Sequence, residues 1–337
     1  MAASELSVSK KAFTIAGILT IVHGLDELPS SVSSVACLWL LHPRLAKQES
    51  MYPIGAQTIT AWNERIKEGR AGKSPKGLIA VSFDQRNHGS RKVDDLANQA
   101  WREGNPRHAQ DMFSIYHGTA SDTSLLLSYL PSYIFGTATP HRLTQHFVLG
   151  VSLGGHAAWH CILQDPRITS AVVVIGCPDY TRLMTDRAAL SKLETWTSTS
   201  PPGSTFLGSD DFPRALIDAV AKYDPAGLLL PGISDGETPS PVALQRFKHL
   251  VQQHLGGKRI LNLCGGVDKL VPYAAGEPFL KVLKKTIEED PELGVEFEDV
   301  SFEGVGHAFS PQMAGKAAQW IGDVLAKGGE PVLVSKI

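Results

Sequence analysis

Short, uninterrupted apolar runs separated by stretches of helical pattern constrain this chain more than any other feature of it. Val35-Ala-Cys-Leu-Trp-Leu-Leu41, Leu78-Ile-Ala-Val-Ser-Phe83, His146-Phe-Val-Leu-Gly150, Ala171 to Gly176 and Arg259-Ile-Leu-Asn-Leu-Cys264 show little polar alternation. A strand without a polar face must be covered above and below, as in a parallel sheet flanked by helices. Helical stretches fall between the runs: Gln57 to Lys67, a region through Leu125 to Leu130, and Gly154 to Gln164, which stops at Asp165-Pro166 because proline ends a helix. Val295 to Phe302 adds a last strand, and a helix from Gly315 to Leu325 closes the chain. The pattern predicts an α/β fold with a mostly parallel central sheet, helices on both faces and crossovers of the usual hand.

The N-terminus carries Lys10 and Lys11 ahead of an apolar stretch, Ala12 to Val22, of signal-peptide length. Glu5 sits where a basic leader region would be, and His23-Gly24-Leu25-Asp26-Glu27 offers no small-x-small cleavage site. A β-hairpin folding around Gly17 is the better expectation. No later apolar run approaches the roughly 18 residues that cross a bilayer, so no membrane span is expected.

Between Pro178 and Gly257 the composition shifts. Helical stretches near Thr181–Leu193, Phe212–Tyr223 and Val242–His254 are separated by Ser200-Pro-Pro-Gly203 and Pro231-Gly-Ile-Ser-Asp-Gly-Glu237, with no buried-strand pattern. The expected organisation is a core of residues 1–178 and 258–337 with a helical cap, 179–257, inserted between two strands. With 337 residues the chain is long enough to bury one large core beside such an insertion.

Lys and Arg total 32 against 34 Asp and Glu, a formal net charge of −2. That balance gives no long-range field to gather nucleic acid or an anionic membrane, and it favours a small-molecule partner. Cys37, Cys161, Cys177 and Cys264 lie singly in apolar runs with no C-x-x-C spacing, and read as core residues outside any disulfide framework. No H-E-x-x-H or clustered ligand spacing supports a metal.

Gly150-Val-Ser-Leu-Gly154 is a G-x-S-x-G elbow with a strand before it and a helix after it. Such a turn is strained and pushes the Ser152 hydroxyl out of the sheet, and only glycine at 150 and 154 leaves room for it. A serine hydroxyl needs a base to take its proton, and the base needs an acid to hold its tautomer. Asp268 follows the penultimate strand in Cys264-Gly-Gly-Val-Asp268, and His307 follows the last in Gly304-Val-Gly-His307. Both fall at the carboxyl edge of the sheet, where catalytic groups of open parallel sheets gather. Asp179 is the substitute acid. His156 and His160 on the helix after the elbow, and His23-Gly24 and His88-Gly89, resemble base or oxyanion motifs only in isolation. Donors for an oxyanion are expected from the backbone N–H of Leu153 and, because Pro43 in His42-Pro43 has none, from that of Arg44. The Arg44 guanidinium is also available to an anionic substrate group.

With Ser152, Asp268 and His307 in order and the Asp84…His88-Gly89 loop ahead of them, the chain resembles the α/β-hydrolase superfamily over nearly its whole length. Phe83-Asp-Gln-Arg-Asn-His-Gly-Ser-Arg91, Gly150-Val-Ser-Leu-Gly-Gly155 and Gly176-Cys-Pro-Asp-Tyr180 look most like small esterases related to dienelactone hydrolases and prolyl oligopeptidases. The resemblance implies cofactor-free hydrolysis of an ester, thioester or lactone through an acyl-enzyme. Pro43 in place of the usual glycine departs from it at the oxyanion donor. Serine at 152 disfavours the relatives that use aspartate or cysteine. On these readings the cap aromatics Trp196, Phe206, Phe212 and Tyr223 supply an apolar acyl or alcohol pocket.

Two other readings remain open: a non-catalytic small-molecule binding or receptor protein on the same fold, and a biosynthetic acyltransferase or cyclase using the same triad. A cytoplasmic location is expected. The end Ser335-Lys336-Ile337 lies close to the peroxisomal S-K-L address. Substrate identity and oligomeric state have no signal in the sequence.

Overall fold

A computed structural model describes residues 7–30, 32–137, 139–232 and 239–328. Glu5, most of the 231–237 linker and Ser335-Lys336-Ile337 lie outside them.

The chain opens with β1 (Lys10–Ile15) and β2 (Ile18–His23), an antiparallel hairpin turning at Ala16 and Gly17, both at positive φ. Then come β3 (Ser34–Leu41), α1 (Tyr52–Lys67), β4 (Gly77–Phe83), α2 (His108–Ile134), β5 (Arg142–Val151), α3 (Leu153–Gln164) and β6 (Ile168–Val174). Between β6 and the next strand the described chain is helical: α4 (Tyr180–Ser191), α5 (Glu194–Thr197), α6 (Arg214–Tyr223), α7 (Pro225–Leu229) and α8 (Pro241–Leu255). It finishes with β7 (Arg259–Gly265), α9 (Tyr273–Glu289), β8 (Glu296–Phe302) and α10 (Pro311–Ala326).

The sheet order is β1-β2-β4-β3-β5-β6-β7-β8. Pairing is antiparallel from β1 to β4 and parallel from there on. The order reverses between β3 and β5, so the chains leaving their carboxyl ends diverge and open a crevice there.

Alternation along each strand separates two cores. Cys37, Trp39 and Leu41 of β3, with Ile79 and Val81 of β4, face α2, α3, α8 and α9, whose Leu126, Trp159, Phe247 and Phe279 cover them. Ala36, Leu38 and Leu40, with Leu78 and Ala80, face α1 and α10, represented by Ile59, Trp62, Ala317 and Ile321. The sheet is therefore covered on both faces, which is why its strands read as unbroken apolar runs. A third cluster, with Trp101, Phe113, Tyr180, Phe206 and Phe212, lies off the sheet and joins α2 and α4 to the loop before α6. All four cysteines are buried and free. No helix among the described residues is long and apolar enough to cross a membrane.

The structure corrects several boundaries. The helical region expected through Leu125 to Leu130 is a 27-residue helix beginning at His108. The strand expected from Ala171 to Gly176 starts at Ile168 and stops at Val174, because Ile175 takes positive φ and Gly176 presses on the Gly155 backbone. Helix α9 has no counterpart in the sequence reading.

Candidate active site

Strand β5 runs into Ser152, whose φ of 55° and ψ of −109° lie in a region that side-chain-bearing residues avoid. The turn is over-determined by its neighbours. The Ser152 N–H donates to the Val174 carbonyl at 2.9 Å, and the Ser152 carbonyl accepts the His156 N–H at 3.0 Å. A Cβ on Gly150 would overlap the Gly154 carbonyl, and one on Gly154 would overlap the Leu41 carbonyl at the end of β3. The two glycines therefore allow backbone to pass backbone where the chain leaves β5 for α3.

Ser152 Oγ lies 2.8 Å from His307 Nε2, and His307 Nδ1 lies 2.8 Å from Asp268 Oδ2. The loops that carry the acid and the histidine are tied together, with the Val267 N–H donating to the Val305 carbonyl at 3.1 Å. The other oxygen, Asp268 Oδ1, accepts the N–H groups of Leu270 at 2.8 Å and Val271 at 2.9 Å. Burial alone would raise the Asp268 pKa. The hydrogen bonds from His307, Val271 and Leu270 outweigh it and hold the carboxyl below its ordinary value. The aspartate is thus ionised and aimed at Nδ1, leaving Nε2 of His307 toward the serine.

The rival groups are engaged elsewhere. Asp179 is the N-cap of α4 and accepts the Arg182 N–H at 2.9 Å. His23 pairs with Ser82 Oγ at 3.0 Å on the sheet. His88 Nδ1 lies 2.9 Å from the Arg86 carbonyl. His156 and His160 are buried in α3, and desolvation lowers the pKa of each to about 3. His156 nevertheless borders the same cavity as Ser152.

The oxyanion candidates occupy the crevice between β3 and β5. Leu153 is the first residue of α3, so its N–H has no acceptor within the helix. The segment carrying Arg44 leaves β3 directly against Gly154. His42 organises it: Nδ1 donates to the Pro43 carbonyl at 2.8 Å and Nε2 accepts the Gln85 N–H at 3.0 Å. Desolvation lowers the His42 pKa to about 4, so the ring is neutral and joins the β3 and β4 loops. Nothing local to His42-Pro43 in the sequence signals this positioning role, which depends on the β4 loop.

A cavity of about 140 Å³ opens at Ser152. Its apolar wall comes from Trp101, Met112 and Tyr116, with Leu190 and Leu270. The cap aromatics expected there do not line it. Phe206 and Phe212 are fully buried beside Trp101 and Tyr180, Tyr223 stacks on His117 with centroids 3.9 Å apart, and Trp196 packs on Gly203. Phe206 and Tyr223 pack the helices between β6 and β7 against Trp101 and α2, and the pocket wall comes instead from the segment before α2, α2 itself, α4 and the Asp268 loop.

The sheet order, its helical cover and the elbow at the end of β5 together decide the architecture. The chain has the α/β-hydrolase fold. No protein-family model matches it, and no curated protein matches its sequence. Similar solved structures include TT1662 from Thermus thermophilus, at 17% identity and a TM-score of 0.55, covering 96% of this chain and 100% of that one. The S-formylglutathione hydrolase from Agrobacterium tumefaciens is similar at 14% identity and a TM-score of 0.51, over 95% of this chain and 94% of that one. The Pyrococcus horikoshii acylaminoacyl peptidase is similar at 12% identity and a TM-score of 0.52, over 94% of this chain and 41% of that longer one. In this α/β-hydrolase fold the elbow, the acid and the histidine all stand at the carboxyl edge of the sheet.

Proposed function

We propose that the protein is a serine hydrolase that cleaves a carboxylic ester, or a related thioester or lactone, through an acyl-enzyme on Ser152. The observation that carries this reading is the continuous hydrogen-bonded line from Ser152 Oγ through His307 to Asp268, with both links at 2.8 Å. The names of two structural neighbours, an S-formylglutathione hydrolase and an acylaminoacyl peptidase, support hydrolysis in general.

In this account His307 Nε2 takes the Ser152 proton as Oγ attacks the substrate carbonyl, and Asp268 stabilises the imidazolium. The N–H groups of Leu153 and Arg44 hold the tetrahedral oxyanion. Collapse expels the alcohol or thiol, which takes the proton from His307. Water, deprotonated by the same histidine, then attacks the acyl carbonyl and releases the acid with Ser152 restored. Residues 179–257 act as an inserted cap over a core of 1–178 and 258–337, contributing mainly α4 to the pocket wall.

A 4-nitrophenyl ester series tests the reading. By the space one water needs, a cavity of about 140 Å³ holds on the order of ten non-hydrogen atoms. Acyl chains from acetate to hexanoate should therefore be cleaved faster than palmitate, and Ser152→Ala should abolish all of it. Unchanged hydrolysis in Ser152→Ala defeats the proposal.

A further inference from the structure

The cavity at Ser152 has a charge pattern that ester hydrolysis alone does not require. Arg44, Arg102, Arg187 and Lys269 line it, and no aspartate or glutamate among the described residues does. Against a chain whose acidic and basic residues nearly balance, that is a local concentration of cations beside the candidate nucleophile.

The cations are held mostly by neutral acceptors, so their charge remains. Arg187 Nη2 donates to the Leu270 carbonyl at 3.1 Å, and Nη1 approaches His108 Nε2 at 3.5 Å. His108 Nδ1 faces the Gln99 carbonyl at 2.9 Å, which fixes the tautomer that presents a lone pair to Arg187. Arg44 Nη1 donates to the Asn98 carbonyl at 2.7 Å. Its carboxylate neighbour among the described residues, the half-exposed Glu103, lies at 3.8 Å. Arg102 donates to the Leu190 carbonyl, and Lys269 is exposed at the mouth.

Two further observations point to an anion as the ligand. Arg44 and Arg187 stand close enough to repel: burial first, and then Arg187 against the opposing pull of Glu103, lowers the Arg44 pKa. Like charges kept together without a ligand cost stability, so the arrangement fits a site completed by an anion. In the same wall the Tyr116 hydroxyl, the Trp101 indole N–H and the Arg187 Nε are buried without a hydrogen-bond partner. Buried donors with no protein partner at a cavity wall are the groups a ligand rich in acceptors would satisfy.

We infer that the cavity selects an acyl compound bearing a carboxylate remote from the scissile carbonyl, the carboxylate being held between the Arg44 and Arg187 guanidiniums with Lys269 at the entrance. The inference rests on the proposed hydrolase reading and names its substrate class. Arg187, on α4, is then the specificity residue, and its bond to the Leu270 carbonyl links anion binding to the loop that carries Asp268.

The test compares two esters of equal length, 4-nitrophenyl hydrogen adipate and 4-nitrophenyl hexanoate. A charge-assisted contact predicts kcat/KM at least about tenfold higher for the adipate ester. In Arg187→Gln the adipate-to-hexanoate ratio should fall by about tenfold, with partial recovery in Arg187→Lys. The exposed Lys269→Gln, which removes no packing, should lower the same ratio by about threefold, more at low than at high salt. Calorimetry with monomethyl adipate on the Ser152→Ala chain reads the pocket without turnover, and binding there should exceed that of methyl hexanoate. Equal kcat/KM for the two esters with Ser152 active, or a ratio unmoved by Arg187→Gln, overturns the inference and leaves the hydrolase reading intact. Anion-selective binding in a chain whose Ser152 proves inert does the reverse.

Discussion

Replacing Asp268 by asparagine tests the geometry of the site at one atom. Asp268 Oδ1 accepts two backbone N–H groups, from Leu270 at 2.8 Å and Val271 at 2.9 Å. An asparagine there must turn its carbonyl oxygen to those donors, since an NH₂ facing the two N–H groups would leave both without an acceptor. Its NH₂ then faces His307 Nδ1, where the aspartate Oδ2 stands at 2.8 Å. That nitrogen must become the acceptor, which puts the ring proton on Nε2, and a protonated Nε2 cannot take the proton of Ser152. The backbone bonds survive, so folding should be little affected. Holding the base of a triad in the wrong tautomer costs about 10⁴ in kcat, or roughly 5.4 kcal/mol at 1.36 kcal/mol per decade. The assay is 4-nitrophenyl butyrate hydrolysis, with a thermal melt beside it. A fall of less than about tenfold in a folded Asp268→Asn chain would refute the reasoning, most sharply if Asp179→Asn lost the activity instead.

Gly154→Ala should fail to accommodate its Cβ, which meets the Leu41 and His42 carbonyls and not a mobile side chain. Loss of esterase activity together with a lowered melting temperature is expected, and a wild-type melt would show that the crevice is looser than described. Asp179 offers a pH test. Desolvation raises its pKa to about 6, so the native state holds a proton that the unfolded chain releases near pH 4. Stability should therefore fall as pH rises from about 4 to 6, by at most about 3 kcal/mol. Asp179→Asn, which keeps the cap to Arg182, should reduce that slope, the remainder coming from the buried Asp224 carboxyl, which desolvation also raises; a slope unchanged in the variant contradicts the assignment.

Most of the fold was legible because burial on both faces leaves a plain trace: β3, β4, β5 and β7 contain the apolar runs within a residue or a few of the observed ends. Ser152, Asp268 and His307 were legible for a related reason, each following a strand of that sheet. What escaped notice depended on tertiary context. Helix α9 carries Pro278 inside it and buries a narrow stripe, Ala275, Phe279, Leu280 and Leu283, that a breaker residue disguises. The stripe at helical spacing was the signal available. The pocket was misassigned because Phe206 and Phe212 are large and apolar, a quality that suits a pocket wall and a subdomain core equally. Only packing distinguishes them. The cations at the cavity come from the β3 loop, the segment before α2, helix α4 and the Asp268 loop, so no local motif announces their meeting. Arg44 alone was flagged in the sequence as available to an anion.

The central claim is that Ser152 is an activated nucleophile, and fluorophosphonate labelling of the folded protein with peptide mass mapping tests it most directly. The account predicts stoichiometric phosphonylation at Ser152, abolished in His307→Ala and in protein unfolded beforehand. A folded chain that stays unlabelled at Ser152, or labels equally without His307, would contradict it.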